Sequence, residues 1–280
     1  TTPETEKKTE KEDEEEKKII PQIHILGDFQ VDTPDKETAY QEFTESQQLN
    51  KKIETVVVEC GSTEGSFRIQ VKPYWSPRGA ARFLELIDLS NNHSIQTTTD
   101  DRDNSRDQTQ TQTPSYYDGC ALNRVVTRFL TQFGISRDFP LRTKYRTNSI
   151  VDDAVTDTAS SSNIPFQPGY MSYAGSGPHS RTTEVFVVMP DTPPHQLDAF
   201  GENSWETPFG YIETKYLDEV VSKWYADYGD MTPWGNGPDP HKIYEKDGYD
   251  VYLKENFTNM SYLTKCVIVD AEDLEMENEL

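Results

Sequence analysis

Two short β-branched segments that begin near Ile53 constrain the fold of this chain more than any other feature. The first, TVVVEC, starts at Thr55 and is followed by turn residues from Gly61 to Gly65. The second, SFRIQVKPY, alternates apolar and polar residues with a period of two. This combination is typical of a β-hairpin with one buried face. We therefore expect the folded domain to begin near Ile53 with antiparallel strands.

The spacing of apolar residues predicts two helices. Ser76 and Pro77 supply an N-cap and a first helical position ahead of RGAARFLELIDL. A second apolar stripe runs from Leu217 to Tyr228, with Gly229 as its stop. Strand-like segments such as MSYA and KCVIVD lie between and after these helices. Their order indicates a mainly β fold in which two helices close an antiparallel barrel.

Long polar segments flank and interrupt this domain. Residues 1–52 are an acidic and charged extension, for which a spacer and a solvated tail are alternatives, and residues 271–280 are an acidic tail. The domain is predicted over 53–270, with a polar insertion at 90–114. The stretch from 136 to 167 is interpreted as a long connection with a weak strand at 148–151.

Composition limits the partners of the chain. A net charge of -22 argues against nucleic acids and anionic membranes, both of which would repel it. No apolar run approaches the roughly 18 residues that span a bilayer. We expect a monomer without membrane contact of its own. The compartment stays open, although the lumen of the secretory pathway or a membrane-anchored precursor is favoured over the cytoplasm.

The cysteines and acidic residues give no sign of a metal or cofactor site. The three cysteines, Cys60, Cys120 and Cys266, are too few for a disulfide scaffold and lack metal-ligand spacing. Reduced, buried thiols are the default expectation. The Asp-rich part of the insertion lacks the glycine and the terminal glutamate of a calcium-binding loop. We expect no cofactor and no metal.

The segment ALNRVVTRFLTQFG, residues 121–134, holds the main candidate for chemistry. Arg124 precedes Phe129 by five residues and Gln132 by eight. On a strand, Asn123, Val125 and Thr127 would face one side, and Arg124, Val126 and Arg128 the other. This pattern fits a pocket with a cation beside apolar neighbours. It also fits an ordinary half-buried strand with a surface arginine.

A second segment, PGYMSYAGSGPHSRTTEVFVVM at residues 168–189, completes a recognisable pair. Together the two segments resemble the cyclophilin family of peptidyl-prolyl isomerases. That family carries Phe-His-Arg and Phe-Met-x-Gln on one side of its site, and Ala-Asn-Ala-Gly-Pro-Asn followed by a Phe-rich strand on the other. The corresponding residues here are Leu122-Asn123-Arg124, Phe129-Leu130-Thr131-Gln132, Ala174-Gly175-Ser176-Gly177-Pro178-His179 and Val185-Phe186-Val187.

The resemblance covers roughly Ile53 to Asp270 and implies a closed eight-stranded antiparallel β-barrel capped at each end by a helix. It implies isomerisation of X-Pro bonds in peptides or client proteins. Arg124 and Gln132 would be catalytic, and the other site residues would bind substrate: Phe129, Leu130, Ala174, Gly175, Phe186, Leu197 and Trp205. In the family's barrel, Cys60 and Cys266 would lie on neighbouring strands, where a disulfide is an alternative to free thiols if the chain is exported.

Several residues depart from the family pattern. Gly175 stands where asparagine is usual, and Glu184 where glutamine is usual. Family members also carry a tryptophan and a histidine near residues 197–206. Leu197 would replace that tryptophan, and Trp205 would either fill the space of the histidine or pack the loop. The departures keep a second function open, a proline-peptide binding or scaffold module with little turnover.

Overall fold

The computed structural model describes residues 55–89, 114–153, 164–203 and 205–269. Within them, eight strands form one antiparallel sheet in the order β3-β4-β6-β5-β7-β2-β1-β8. The strands are β1 Val56–Ser62, β2 Gly65–Val71, β3 Arg124–Val126, β4 Leu130–Phe133, β5 Tyr170–Tyr173, β6 Val185–Val188, β7 Gly210–Ile212 and β8 Leu263–Val269.

This sheet forms a half-barrel around the main core, which confirms the mainly β architecture. One isolated bridge, between Ala121 and Tyr262, joins the segments that precede the two edge strands. Closure of the barrel stays a prediction. Among the described residues, the helices are all too short or too polar to cross a bilayer.

The predicted hairpin is confirmed as β1 and β2. Val56 pairs with Val71, and Cys60 pairs with Phe67. Alternate residues are buried on both strands, as a period of two requires. Gly65, the first residue of β2 after the turn, has a φ of 141°, which glycine readily adopts. The sheet therefore starts where the β-branched segments predict it.

The opposite edge of β1 corrects the expectation of three reduced thiols. Cys60 lies directly opposite Cys266 on β8, with Cα atoms 4.1 Å apart, and the two form a disulfide. Cys120 is free and fully buried, and burial raises the pKa of its thiol. The two cysteines are 206 positions apart, so no local pattern predicts their pairing. Only the family resemblance suggested this disulfide as an alternative to free thiols.

The first predicted helix is confirmed as α1, Pro77–Ile87. Its cap differs from the prediction, since the Ser76 hydroxyl caps no backbone N–H and instead donates to Asp153. The buried Asp153 carboxylate accepts from the backbone N–H groups of Arg78 (2.8 Å) and Gly79 (3.0 Å). A carboxylate at this end also complements the helix dipole.

The second predicted helix is wrong in extent. The structure has a short helix at Lys215–Glu219 and a 3₁₀ turn at Val221–Lys223, with the break at Val220 (φ -127°). β-branched residues are weak helix formers. Trp224 stays buried without a continuing helix: its ring packs against Phe67 with centroids 5.7 Å apart, and its Nε1 donates to Ser62 Oγ at 3.3 Å.

The long connection predicted over 136–167 contains a helix, Phe139–Tyr145, with Asp138 as its N-cap. The weak strand reduces to one bridge, Ile150 with Arg181. The remaining helices are Pro194–Leu197, Pro240–Tyr244, a π-helical turn at Gly248–Leu253, and Lys254–Asn256. The predicted extension 1–52, the insertion up to 113 and the tail 271–280 lie outside the described residues.

Candidate functional site

The segment singled out in the sequence folds as a hairpin of β3 and β4. The strand ends at Val126, and Thr127 to Phe129 form the turn to β4, so the alternation predicted to continue through Arg128 is wrong after Val126. Arg128 occupies the turn with a φ of 63°. Arg124 pairs directly with Gln132 across the hairpin. Since Val125 is buried in the core, Arg124 and Gln132 share the outer face.

Arg124 lies between an aromatic ring and a carboxylate. Its guanidinium carbon is 5.5 Å from the ring centroid of Phe129, and Nη1 donates to Gln132 Oε1 at 3.4 Å. Nε and Nη2 donate to the two carboxylate oxygens of Asp230 at 2.7 and 3.1 Å. Such a paired contact fixes a guanidinium firmly. Asp230, which sequence reasoning missed, thus determines where the cation lies.

An apolar cluster adjoins this cation. Phe166, Phe186, Leu130 and Val188 are buried, and four further residues pack against them: Phe129, Tyr170, Leu197 and Phe200. The cluster brings together four of the predicted substrate-binding residues, namely Phe129, Leu130, Phe186 and Leu197. Sequence reasoning missed Phe166 and Phe200, which lie in segments without periodic patterning.

Phe200 bridges the two sides of this cluster. Its ring centroid lies 5.2 Å from Phe129, 5.5 Å from Phe186 and 5.6 Å from Phe166. These separations are typical of packed aromatic rings. Phe200 therefore contacts Phe129 and Phe186, two of the predicted substrate-binding residues, at the same time.

The indole of Trp205 packs directly against Gly175, where no Cβ atom is present. A Cβ atom on Gly175 would lie 2.6 Å from Trp205 Cδ1 and 3.0 Å from Ser180 Oγ. The asparagine usual at this position in the resembled family would therefore collide with the indole. Ala174, at the end of β5, donates its N–H to the Glu184 carbonyl at 2.9 Å. Trp205 thus packs against the predicted backbone groove.

The carboxyl group of the half-buried Glu184 also holds Gln132 in place. Gln132 Nε2 donates to Glu184 Oε2 at 2.8 Å, and the Tyr244 hydroxyl donates to Glu184 Oε1 at 3.0 Å. Burial raises the pKa of Glu184, although both hydrogen bonds act in the opposite direction. The chain Tyr244–Glu184–Gln132 fixes the amide that faces Arg124.

We expect Glu184→Gln to stabilise the fold at neutral pH. Because the folded-state pKa of Glu184 is raised above the ordinary 4.5, its proton contributes stability below that value. This stability is lost as pH rises through the raised pKa. Unfolding by denaturant across this pH range should show the variant gaining over wild type as pH rises. The exposed Glu255→Gln is the control, and parallel pH profiles for wild type and Glu184→Gln would contradict the expectation.

The loop after Gly175 is held by buried charges. Arg181 is fully buried and pairs with Asp152 at 3.3 Å and with Asp153 at 2.9 Å. His179 has a φ of 58°, and its Nδ1 accepts from the Asp152 N–H at 3.0 Å.

Among the described residues, no group of three or more His, Cys, Asp or Glu side chains has the geometry of a metal site.

Sequence comparison identifies the family of this fold. The family model described as "Cyclophilin type peptidyl-prolyl cis-trans isomerase/CLD" matches residues 55–229, more than half of the chain. The chain belongs to the cyclophilin-type peptidyl-prolyl cis-trans isomerase family. The matched range contains the β3–β4 hairpin with Arg124, the apolar cluster and Gly175.

Structural comparison of this cyclophilin gives a distant neighbour. A cyclophilin type peptidyl-prolyl cis-trans isomerase from Cryptosporidium parvum matches with a TM-score of 0.45 and 12% sequence identity. The match covers 77% of this chain and 98% of the neighbour. No curated protein matches the chain in sequence.

Proposed function

We propose that this cyclophilin domain is a peptidyl-prolyl cis-trans isomerase that acts on X-Pro bonds of peptides or client proteins. The observation that carries the proposal is the position of Arg124 between Gln132 and the Phe129 ring, at the edge of the apolar cluster. A permanently charged donor beside an apolar surface suits a proline whose amide nitrogen becomes basic during rotation.

The reaction requires stabilisation of a twisted amide and no covalent chemistry. Rotation about an X-Pro bond faces a barrier of about 18–20 kcal/mol, because amide conjugation is lost in the transition state. The prolyl nitrogen then regains its lone pair and accepts a hydrogen bond. Nε and Nη2 of Arg124 donate to Asp230, whereas Nη1 lies beside Gln132. Nη1 is therefore the proposed donor to the prolyl nitrogen. Stabilisation confined to the transition state raises kcat.

Other residues hold the substrate in this proposal. Phe129, Leu130 and Phe186 pack against the proline ring, with Leu197 at the margin of the cluster. Ala174 and Gly175 hold the backbone of the residues before the proline, and Trp205 borders this groove. Gln132 orients Arg124 and contacts the carbonyl that precedes the proline.

The test is turnover of a short X-Pro peptide by the wild-type chain. The uncatalysed reaction takes tens to hundreds of seconds, so catalysis is visible as faster cis-to-trans relaxation after a solvent jump. The same chain unfolded and reduced is the control. Relaxation no faster than in buffer would contradict the proposed isomerase.

One observation favours a second function, a proline-peptide binding module with little turnover. Phe200 contacts both Phe129 and Phe186, and thereby occupies space that the ring of a substrate proline needs. A peptide would then rest on the surface of the cluster, too far from Arg124 for efficient rotation. Turnover and peptide affinity of a Phe200→Ala variant therefore show whether Phe200 blocks the proline site.

We expect Phe200→Ala to raise kcat/KM several-fold for a short X-Pro peptide, because it opens the space between Phe129 and Phe186. Relaxation kinetics and peptide affinity, measured on wild type and variant, check this. Phe139→Ala removes a partly exposed ring elsewhere on the surface and is the matched control. A fall in both affinity and turnover would show instead that Phe200 is a wall of the proline site.

A further inference from the structure

A group of aromatic side chains adjoins the apolar cluster and shares Tyr170 with it. Tyr170 and Tyr211 stack with ring centroids 5.8 Å apart, and the Trp75 ring lies 5.4 and 6.0 Å from them. Tyr74, which is 40% exposed, lies 6.4 Å from Trp75. We call Tyr74, Trp75, Tyr170 and Tyr211 the aromatic platform. We infer that the platform binds the segment that follows the isomerised proline in an extended, proline-containing substrate.

The platform and the proposed proline site lie on the same outer face of the sheet. Val185 and Val187 of β6 belong to the main core, so Phe186 between them faces outward. Met171 and Tyr173 of β5 also belong to that core, so Tyr170 faces outward as well.

The two surfaces are also connected by contacts. β6, β5 and β7 are adjacent in the sheet, and Tyr170 pairs with Tyr211. The Phe166 ring connects the groups, because it lies 5.9 Å from Phe186 and 6.4 Å from Tyr170. Ring contacts therefore continue from the proline site to the platform through the buried Phe166 ring.

The chemistry of the platform matches an extended, proline-rich peptide. A cavity of about 420 Å³ opens between the platform and residues that include Gln167, Pro168 and Thr214. Grooves lined by Trp and Tyr are the usual recognition surface for polyproline II segments.

The polar atoms at the platform fit the same ligand. The Tyr170 hydroxyl and the Gln167 amide offer donors to peptide carbonyl groups, and partial burial raises the pKa of Tyr170. Among the described residues that line the cavity, none is acidic, although the whole chain carries a net charge of -22. A neutral or acidic peptide therefore meets no local carboxylate at this surface.

The sheet geometry sets the spacing and direction of this ligand. From β6 to β7 is two strand spacings, about 10 Å. A polyproline II segment rises about 3.1 Å per residue, so about three to four residues cover that distance. Tyr170 begins β5, whereas Gly175 lies just after the other end of that strand. Since the proposed function places residues before the proline at Gly175, the platform receives residues after it, and the inference rests on that proposal.

The experiment compares two fluorescent peptides of equal length with the same Ala-Pro bond. One carries prolines at the third and fourth positions after the isomerised proline, and the other carries serines there. By fluorescence anisotropy, wild type should bind the proline-rich peptide about tenfold more tightly. Trp75→Ala should remove this preference, whereas Phe139→Ala should retain it. Equal binding of both peptides by wild type, or a preference that survives Trp75→Ala, would overturn the inference.

Further measurements separate this inference from the proposed isomerase. Tyr74→Ala, at an exposed position, should reduce the preference without the folding risk of a change at half-buried Trp75. Arg124→Ala should stop turnover and keep the preference. If wild type turns over neither peptide but shows a preference that Trp75→Ala abolishes, the platform is supported and the isomerase fails. If turnover is normal and no preference exists, the isomerase stands and the platform is refuted.

Discussion

We expect replacement of Arg124 by alanine to lower kcat/KM for a short X-Pro peptide by about a hundredfold to a thousandfold. This is the usual effect of removing one pre-organised hydrogen-bond donor from a transition state. Most of the loss falls on kcat, because the prolyl nitrogen accepts a hydrogen bond only in the twisted state. Relaxation kinetics over a range of peptide concentrations separate kcat from KM.

Two controls make the Arg124 result specific. Arg137→Ala removes a guanidinium that is 60% exposed and paired with Asp250 on the surface, and should leave turnover unchanged. Arg124→Ala with Asp230→Asn removes both members of the pair, so no carboxylate is left without its partner. Turnover in this double variant should stay as low as in the single variant. Recovery of turnover there would assign the defect to the unpaired Asp230.

We expect reduction of the disulfide between Cys60 and Cys266 to lower the free energy of unfolding by about 2–5 kcal/mol, because the bridge restricts a long loop in the unfolded chain. Denaturant unfolding with and without a thiol reductant measures this. Cys60→Ala with Cys266→Ala should be insensitive to the reductant.

A thiol count provides an independent check of the bridge. Labelling of the denatured, unreduced chain should modify a single cysteine, Cys120. Modification of all three would show that the bridge is absent.

The sequence predicts those parts of the fold in which apolar residues repeat with the period of a strand or a helix. The β1–β2 hairpin and α1 follow from alternation and helical spacing, and both form where expected. The stripe from Leu217 to Tyr228 was misleading. Leu217, Val220, Val221 and Trp224 are buried in a short helix, a 3₁₀ turn and extended chain, and burial alone does not distinguish these from one helix.

The spacing in residues 121–134 singles out Arg124, Phe129 and Gln132, and the family resemblance adds Phe186 and the roles proposed for all four. The structure brings these residues together beside one apolar cluster. Asp230 was not found, because it lies 106 positions from Arg124 in a turn-rich loop. Phe200 also lies in a loop, where its contacts with Phe129 and Phe186 depend on tertiary packing rather than on any local pattern.

Exchange spectroscopy by NMR on a short X-Pro peptide tests the central claim most directly. In buffer, cis and trans signals exchange too slowly to give cross-peaks, because rotation takes tens of seconds or longer. Catalytic amounts of the wild-type chain should produce cross-peaks between the two isomers, and the Arg124→Ala variant should not. Spectra without cross-peaks for the wild type, or with equal cross-peaks for both chains, would contradict the role assigned to Arg124.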